Sequence, residues 1–418
     1  MREAFILSLR LHGRWLREAL GPRGRQVAPL TPYRLLVLAL LLPAYALLQA
    51  AHWLGFVADE LLFPGYRNAP VTAPLFITGI PRSGTTFVHR ALAGDEASFT
   101  TLRTWEALFA PSVSERRLLR GIARLDGLLG RPLWHLAEAV TRRLTGGLAA
   151  IHEVGLEAAE EDYLTLLPAG GCFILVLAFP ASPSLWRLGR LQELPAPERR
   201  VLVDFYRACL QKHLYAAPPG RRLLSKNAAF GSWLPELATR FPDARFLVCV
   251  REPVEALRSQ LGALRGGLAL FGTLPAADAV ARGLKANVTH AYVVLRDCGQ
   301  RLPAGRLAVI DQGRLRAAPR GELEGALARL GVPVVPSLEA ALEAALEVAK
   351  RRTGDGEDRG HRHPPVTGGE DPDPGPVVAR LHHDLINGMA PLGREFDHEL
   401  DHELDHEPNN EPSNEPRD

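Results

Sequence analysis

The chain has 418 residues, 46% of them hydrophobic and 23% charged, a balance that supports a large packed core and excludes a wholly disordered chain. Its 49 basic and 47 acidic residues leave a formal charge of +2. No global field is there to hold nucleic acid, so any anion site has to be local. Four cysteines, Cys172, Cys209, Cys249 and Cys298, are scattered without CxxC spacing, which argues against a disulfide framework or zinc site and for a reducing compartment.

The near-zero average hides an asymmetry. Residues 1–34 carry seven arginines against Glu3 and Glu18, whereas residues 394–418 carry ten acids against Arg394 and Arg417. Between them, Leu35–Val57 is a run of 23 residues without a charge. As a helix it would be about 34 Å long, enough to cross a membrane. Pro43, Gln49 and His52 favour instead a kinked, re-entrant or protein-covered pair of helices. A single span would also export everything after it, because arginine-rich ends stay cytoplasmic. Residues 1–72 are therefore expected to form a basic, apolar, membrane-associating segment, with a full span as the alternative.

From Pro74 onward an α/β pattern is expected. Leu75–Ile80 reads as a buried strand, followed by a tight turn and a helix over Thr85–Ala93. Arg222–Leu224, Ala244–Val250 and Arg306–Ile310 are further strands. Trp233–Arg240 and Glu322–Leu330 are helices. This alternation predicts a doubly wound parallel sheet, helices on both faces, over residues 73–335. Residues 95–220 read as a helix-rich insertion forming the substrate side. In the C-terminal region, 336–393, Ser337–Arg352 is a helix and Thr353–Pro376 a Gly/Pro-rich loop. Residues 394–418, with the repeat DHEL-DHEL-DHEP, read as a solvated acidic tail; the His-Glu pairs offer only weak metal ligands.

The segment Gly79-Ile-Pro-Arg-Ser-Gly-Thr-Thr86 joins strand to helix, where backbone N–H groups and the positive helix end converge into a phosphate cradle. Its spacing resembles the NTP-binding P-loop, but Thr85 stands where that loop has lysine, which disfavours ordinary NTP chemistry. Arg82 adds charge; Ser83, Thr85 and Thr86 add hydroxyl donors around Gly84.

Here the sequence resembles the PAPS-dependent sulfotransferases (PAPS is 3′-phosphoadenosine-5′-phosphosulfate), in particular their bacterial and tyrosylprotein-type branch. Three elements carry the resemblance. The first is PRSGTT at Pro81–Thr86. The second is FPDARFLVCVREPVEALRS, with Arg251 at a strand end and Ser259 eight residues on. The third is Leu223-Leu-Ser-Lys-Asn227, a strand ending in lysine. The resemblance covers roughly residues 60–335 and implies a P-loop-like fold. It also implies a 5′-phosphosulfate held by Arg82–Thr86 and a 3′-phosphate gripped by Arg251 and Ser259. The residue arithmetic agrees, because ligands of doubly wound sheets lie outside the carboxyl edge and a guanidinium grips phosphate with two donors.

Sulfuryl transfer needs donors for the sulfonate, positive charge at the leaving oxygen and a base for the acceptor hydroxyl. Lys226 is expected at the leaving oxygen. Tyrosylprotein-type enzymes use a glutamate shortly after the loop as base. Glu106, 24 residues beyond Arg82, takes that place if a short insertion is allowed. The acidic stretch His152, Glu153, Glu157, Glu160 and Glu161 is the alternative source, and His89 reads as a cover on the loop helix. No metal is implied. The expected enzyme transfers a sulfuryl group from PAPS to a small-molecule, glycan or lipid hydroxyl, in the cytoplasm or at the cytoplasmic face of a membrane. The alternatives are a degenerate P-loop kinase or NTPase, and a non-catalytic nucleotide-binding, membrane-associated protein.

Overall fold

The computed structural model describes residues 1–133, 135, 136, 139, 156–354 and 373–387. The acidic tail at 394–418, along with His152 and Glu153, lies outside the described residues. Among the described residues five strands form one sheet: β1 (Leu75–Gly79), β2 (Phe99–Thr100), β3 (Arg222–Lys226), β4 (Arg245–Val250) and β5 (Leu307–Asp311), in the order β2-β3-β1-β4-β5. All neighbours run parallel. The four strands expected from sequence are present within a residue or two of their expected ends. β2, two residues long, is too short to leave an alternating pattern.

Parallel strands covered on both faces need apolar side chains on both. Phe76, Phe246, Val248 and Val250 point to one core, shared with the helices Leu234–Arg240 and Ala277–Arg301. Leu75, Ile77, Leu247 and Cys249 point to the other, closed by the helices Thr85–Ala93, Pro319–Arg329 and Pro336–Gly354. The sheet is thus doubly wound, as the alternation predicts. Between β2 and β3 the regular elements among the described residues are helices, ending in the helix Ala196–Ala216, with one isolated antiparallel bridge between Arg103 and Ala159.

The amino terminus joins the first of these cores. Helix Arg2–Leu20 buries Leu7, Leu11 and Trp15, with Trp15 against Phe179 at a ring separation of 4.6 Å. Ser8 Oγ donates to the carbonyl of Pro168 at 2.6 Å, and Ser182 Oγ donates to Glu18 at 2.6 Å. Helix Pro32–Leu62 runs through Pro43 without a break into two helices. Pro43 and Ala39, whose carbonyl loses its usual donor, both sit on the exposed side, so the missing bond costs no buried acceptor.

Two buried ties anchor this helix. Asp59 accepts from the N–H groups of Val113 and Ser114, at 2.9 and 2.7 Å, which begin the helix Val113–Leu128. It also accepts from Lys212 Nζ at 2.8 Å, on helix Ala196–Ala216, with both side chains fully buried. Two turns away, His52 Nδ1 lies 2.6 Å from Glu115 Oε1.

Candidate functional site

The loop after β1 owes its shape to two glycines. Gly79 has φ 136° and packs so close to β4 that a Cβ would stand 2.0 Å from the Cys249 carbonyl oxygen. Gly84, with φ 90°, precedes the first residue of helix Thr85–Ala93. Between them the Ile80 N–H donates to the Cys249 carbonyl at 2.9 Å, and Ser83 Oγ donates back to the Ile80 carbonyl at 2.6 Å. The turn is therefore fixed against β4 while the first N–H groups of the helix, which have no intrahelical acceptor, stay directed at its mouth.

Arg82 occupies the left-handed region at φ 66°, a conformation non-glycine residues hold only when their surroundings impose it. Its Nε donates to Ser259 Oγ at 3.1 Å. Arg251, the residue after β4, donates through Nη1 to the Arg82 carbonyl at 3.3 Å and through Nε and Nη2 to Glu255 at 3.2 and 3.1 Å. The Tyr292 hydroxyl donates to the Arg251 carbonyl and pins the strand end from behind. Arg82, Arg251 and Ser259, widely separated in sequence, thus meet in one cluster beside the loop. Burial and the neighbouring Arg251 hold the Arg82 guanidinium below its usual range. Two cations held together against repulsion and desolvation form a site suited to an anion. Glu252 caps the helix Pro253–Leu270 through the N–H groups of Val254 and Glu255 and leaves Arg251 to Glu255.

On the other side of β1, β3 ends in Lys226, level with Ile77. Lys226 is almost fully buried, and its Nζ lies 2.5 Å from Glu161 Oε1. Beneath it, His89 accepts from or donates to Thr101 Oγ1 at 2.8 Å; burial, with Lys226 and Arg90 nearby, keeps the ring neutral. The Tyr206 hydroxyl and Ser225 Oγ are 3.0 Å apart, and beside them burial pushes the Asp162 carboxyl up to about 7.

Glu106 is placed differently. It is buried in the first turn of helix Thr104–Phe109, where its Oε2 accepts from the Arg103 N–H at 3.1 Å. Oε1 accepts from Arg120 at 3.4 Å and lies 3.6 Å from Arg116; His213 Nδ1 is 3.6 Å from Oε2. Arg116 donates to His213 Nδ1 at 2.9 Å, so the ring is neutral with its proton on Nε2, directed at Thr100 Oγ1. Of the acidic stretch, Glu157 pairs with Arg103 and Glu160 accepts from the Glu161 N–H. Sequence reasoning brought Arg82, Arg251, Ser259 and Lys226 to one sheet edge. It missed Tyr292, Tyr206, Asp162 and His213, which carry no local motif.

A sequence-family model described as the sulfotransferase family matches residues 74–336, from β1 through β5 and the helices behind it. The chain belongs to the sulfotransferase family. Its fold has solved counterparts in two mycobacterial sulfotransferases. STF1 from Mycobacterium tuberculosis H37Rv superposes with a TM-score of 0.62 at 17% identity over 85% of this chain and 93% of that one. STF9 from Mycobacterium avium gives 0.61 at 17% identity over 94% and 98%. No curated protein matches the sequence. The sulfotransferase fold is the P-loop-like α/β fold, here with a central five-stranded parallel sheet.

Proposed function

We propose that this sulfotransferase uses PAPS as donor and transfers its sulfuryl group to the hydroxyl of a small molecule, glycan or lipid. The observation that carries the proposal is the meeting of Arg82, Arg251 and Ser259 beside the glycine-shaped loop. Such a set fits a nucleotide with a second phosphate away from its reacting end, because it supplies guanidinium and hydroxyl donors apart from the helix N-terminus. The donor, when bound, supplies the sulfuryl group. Ser83, Gly84, Thr85 and Thr86 hold its 5′ end through the loop, and Arg251 with Ser259 holds the 3′-phosphate.

In the reaction the acceptor oxygen bonds to sulfur as the sulfur–oxygen bond to phosphate breaks. The electron pair leaves with 3′-phosphoadenosine 5′-phosphate, and the hydroxyl proton passes to a carboxylate. Lys226 places its charge where the leaving oxygen develops negative charge. Two acids compete for the proton. Glu106 has both oxygens engaged by donors on its own wall of the cleft. Glu161 has Lys226 as partner, and a phosphosulfate oxygen meeting Lys226 would release that carboxylate at the reacting centre. The pairing favours Glu161 as base, with Glu106 bracing Arg116 and Arg120 on the acceptor side.

The reading is tested by acceptor-dependent formation of 3′-phosphoadenosine 5′-phosphate from PAPS. Lys226→Met is expected to lower kcat on the order of a hundredfold while donor affinity changes little. Full turnover by that variant would remove Lys226 from the reaction.

A further inference from the structure

The helix Pro32–Leu62 has 31 residues and is long and apolar enough to cross a bilayer, yet its two sides differ. The inward side buries Arg34, Leu38, Gln49, His52, Phe56 and Asp59, with Asp59 and His52 tied to the helices behind as described. The outward side presents Leu36, Leu40, Leu47, Leu54, Val57 and Leu61 at helical spacing, and Leu47, Leu54 and Leu61 are 72%, 71% and 75% exposed. Every exposed position from 35 to 57 on this helix is apolar.

The neighbouring helices extend the surface. Phe5, itself exposed, packs edge-on against Trp53 at 5.0 Å. On the opposite flank helix Val113–Leu128 packs along Pro32–Leu62. It exposes Leu118, Ile122 and Leu125 at the same spacing, with Leu129 just beyond its end. Exposed apolar area on this scale marks an interaction surface.

The rim decides the partner. Helix Val113–Leu128 carries the exposed Arg117 and Arg124 along the flank of its leucine row, and the Arg117 guanidinium lies 4.2 Å from the Phe63 ring, at the end of the apolar helix. Arg2, Arg10 and Arg17 stand exposed on the amino-terminal helix. Two copies of this face placed together would oppose arginine to arginine, whereas an anionic lipid surface complements an apolar strip edged by cations. A transmembrane placement would pull Asp59 and His52 from their buried partners. We infer that this face lies in the plane of an anionic membrane, with the leucines of Pro32–Leu62 and Val113–Leu128 immersed and the arginines at the headgroups. The inference does not depend on the donor or the reaction.

Vesicle flotation of the full chain tests it, with phosphatidylcholine vesicles and phosphatidylcholine–phosphatidylglycerol vesicles. Wild type is expected to float with the mixed vesicles and weakly with phosphatidylcholine alone. A Leu40→Glu, Leu47→Glu, Leu54→Glu variant is expected to lose partitioning by at least about tenfold, with an unchanged circular dichroism spectrum. A second variant, Arg117→Glu with Arg124→Glu, leaves the leucines in place and is expected to lose the preference for phosphatidylglycerol. It decides the matter if the first fails to fold. Wild type that floats with neither vesicle overturns the inference. So does an Arg117→Glu, Arg124→Glu variant that floats like wild type, or a sedimenting dimer that the leucine substitutions dissociate.

Discussion

At the scale of single residues, the site is built from charges held where water is scarce. Lys226 is buried with Glu161 as its counter-ion, and the roles proposed for Glu161 and Glu106 separate in kinetics. Glu161→Gln is expected to lower kcat about a hundredfold or more and to remove the acidic limb of the pH–rate profile, as loss of a general base does. Glu106→Gln is expected to raise KM for the acceptor while that limb stays. The reverse pattern would return the base to Glu106. Asp162 offers a separate pH test. Burial pushes its carboxyl in the fold above the ordinary range, up to about 7, because the charged form is desolvated there. The sign follows: stability from the neutral form is complete below about pH 4 and is lost as pH rises through about 7. Asp162→Asn removes that loss, on the order of 4 kcal/mol for a shift of this size. Urea denaturation at about pH 5 and about pH 8 is expected to show the variant gaining on wild type at the higher pH. An equal difference at both would refute the assignment.

At the scale of elements, local signals were legible and long-range ones were not. The loop announced itself because Gly79 and Gly84 are local necessities of a strand–helix turn, and the β1 and β4 strands because their apolar runs are buried on both faces. Arg251 follows β4 directly and Ser259 lies two turns along the adjoining helix Pro253–Leu270, so their spacing could be read directly. The contacts of Arg82 with Ser259, Glu161 with Lys226 and Tyr206 with Ser225 join segments 177, 65 and 19 residues apart, and no periodicity encodes them. The apolar run at 35–57 was ambiguous for a physical reason: its composition satisfies both a membrane and a protein core. Asp59, just past the run, fastens the helix end to Val113–Leu128 and Ala196–Ala216. Asp59→Ala would leave Lys212 buried without a counter-ion and two N–H groups without an acceptor. It is expected to cost about 3–5 kcal/mol, measured by denaturant unfolding. A loss well below about 1 kcal/mol would mean that the tie is dispensable.

At the scale of the molecule, the sheet's carboxyl edge, the helical wall between β2 and β3 and the amino-terminal helices form one arrangement. The loop and Arg251 lie at that edge, Glu161 and Glu106 come from the wall, and the apolar face runs along helices packed behind it. Helix Val113–Leu128 belongs to both, giving Arg116 and Arg120 to Glu106 on one side and Leu118, Ile122 and Leu125 to the outer face on the other. An acceptor partitioned into a membrane would therefore meet the protein on the side of the helical wall. Function at the sheet edge turns first on the donor site. It is tested most directly by calorimetric titration of wild type and Arg251→Ala with 3′-phosphoadenosine 5′-phosphate, AMP and ATP. Wild type is expected to prefer the 3′-phosphorylated ligand, and Arg251→Ala to lose about 1.5–3 kcal/mol of that preference while binding AMP as before. ATP bound as tightly as the 3′-phosphorylated ligand, with no response to Arg251, would contradict a PAPS site.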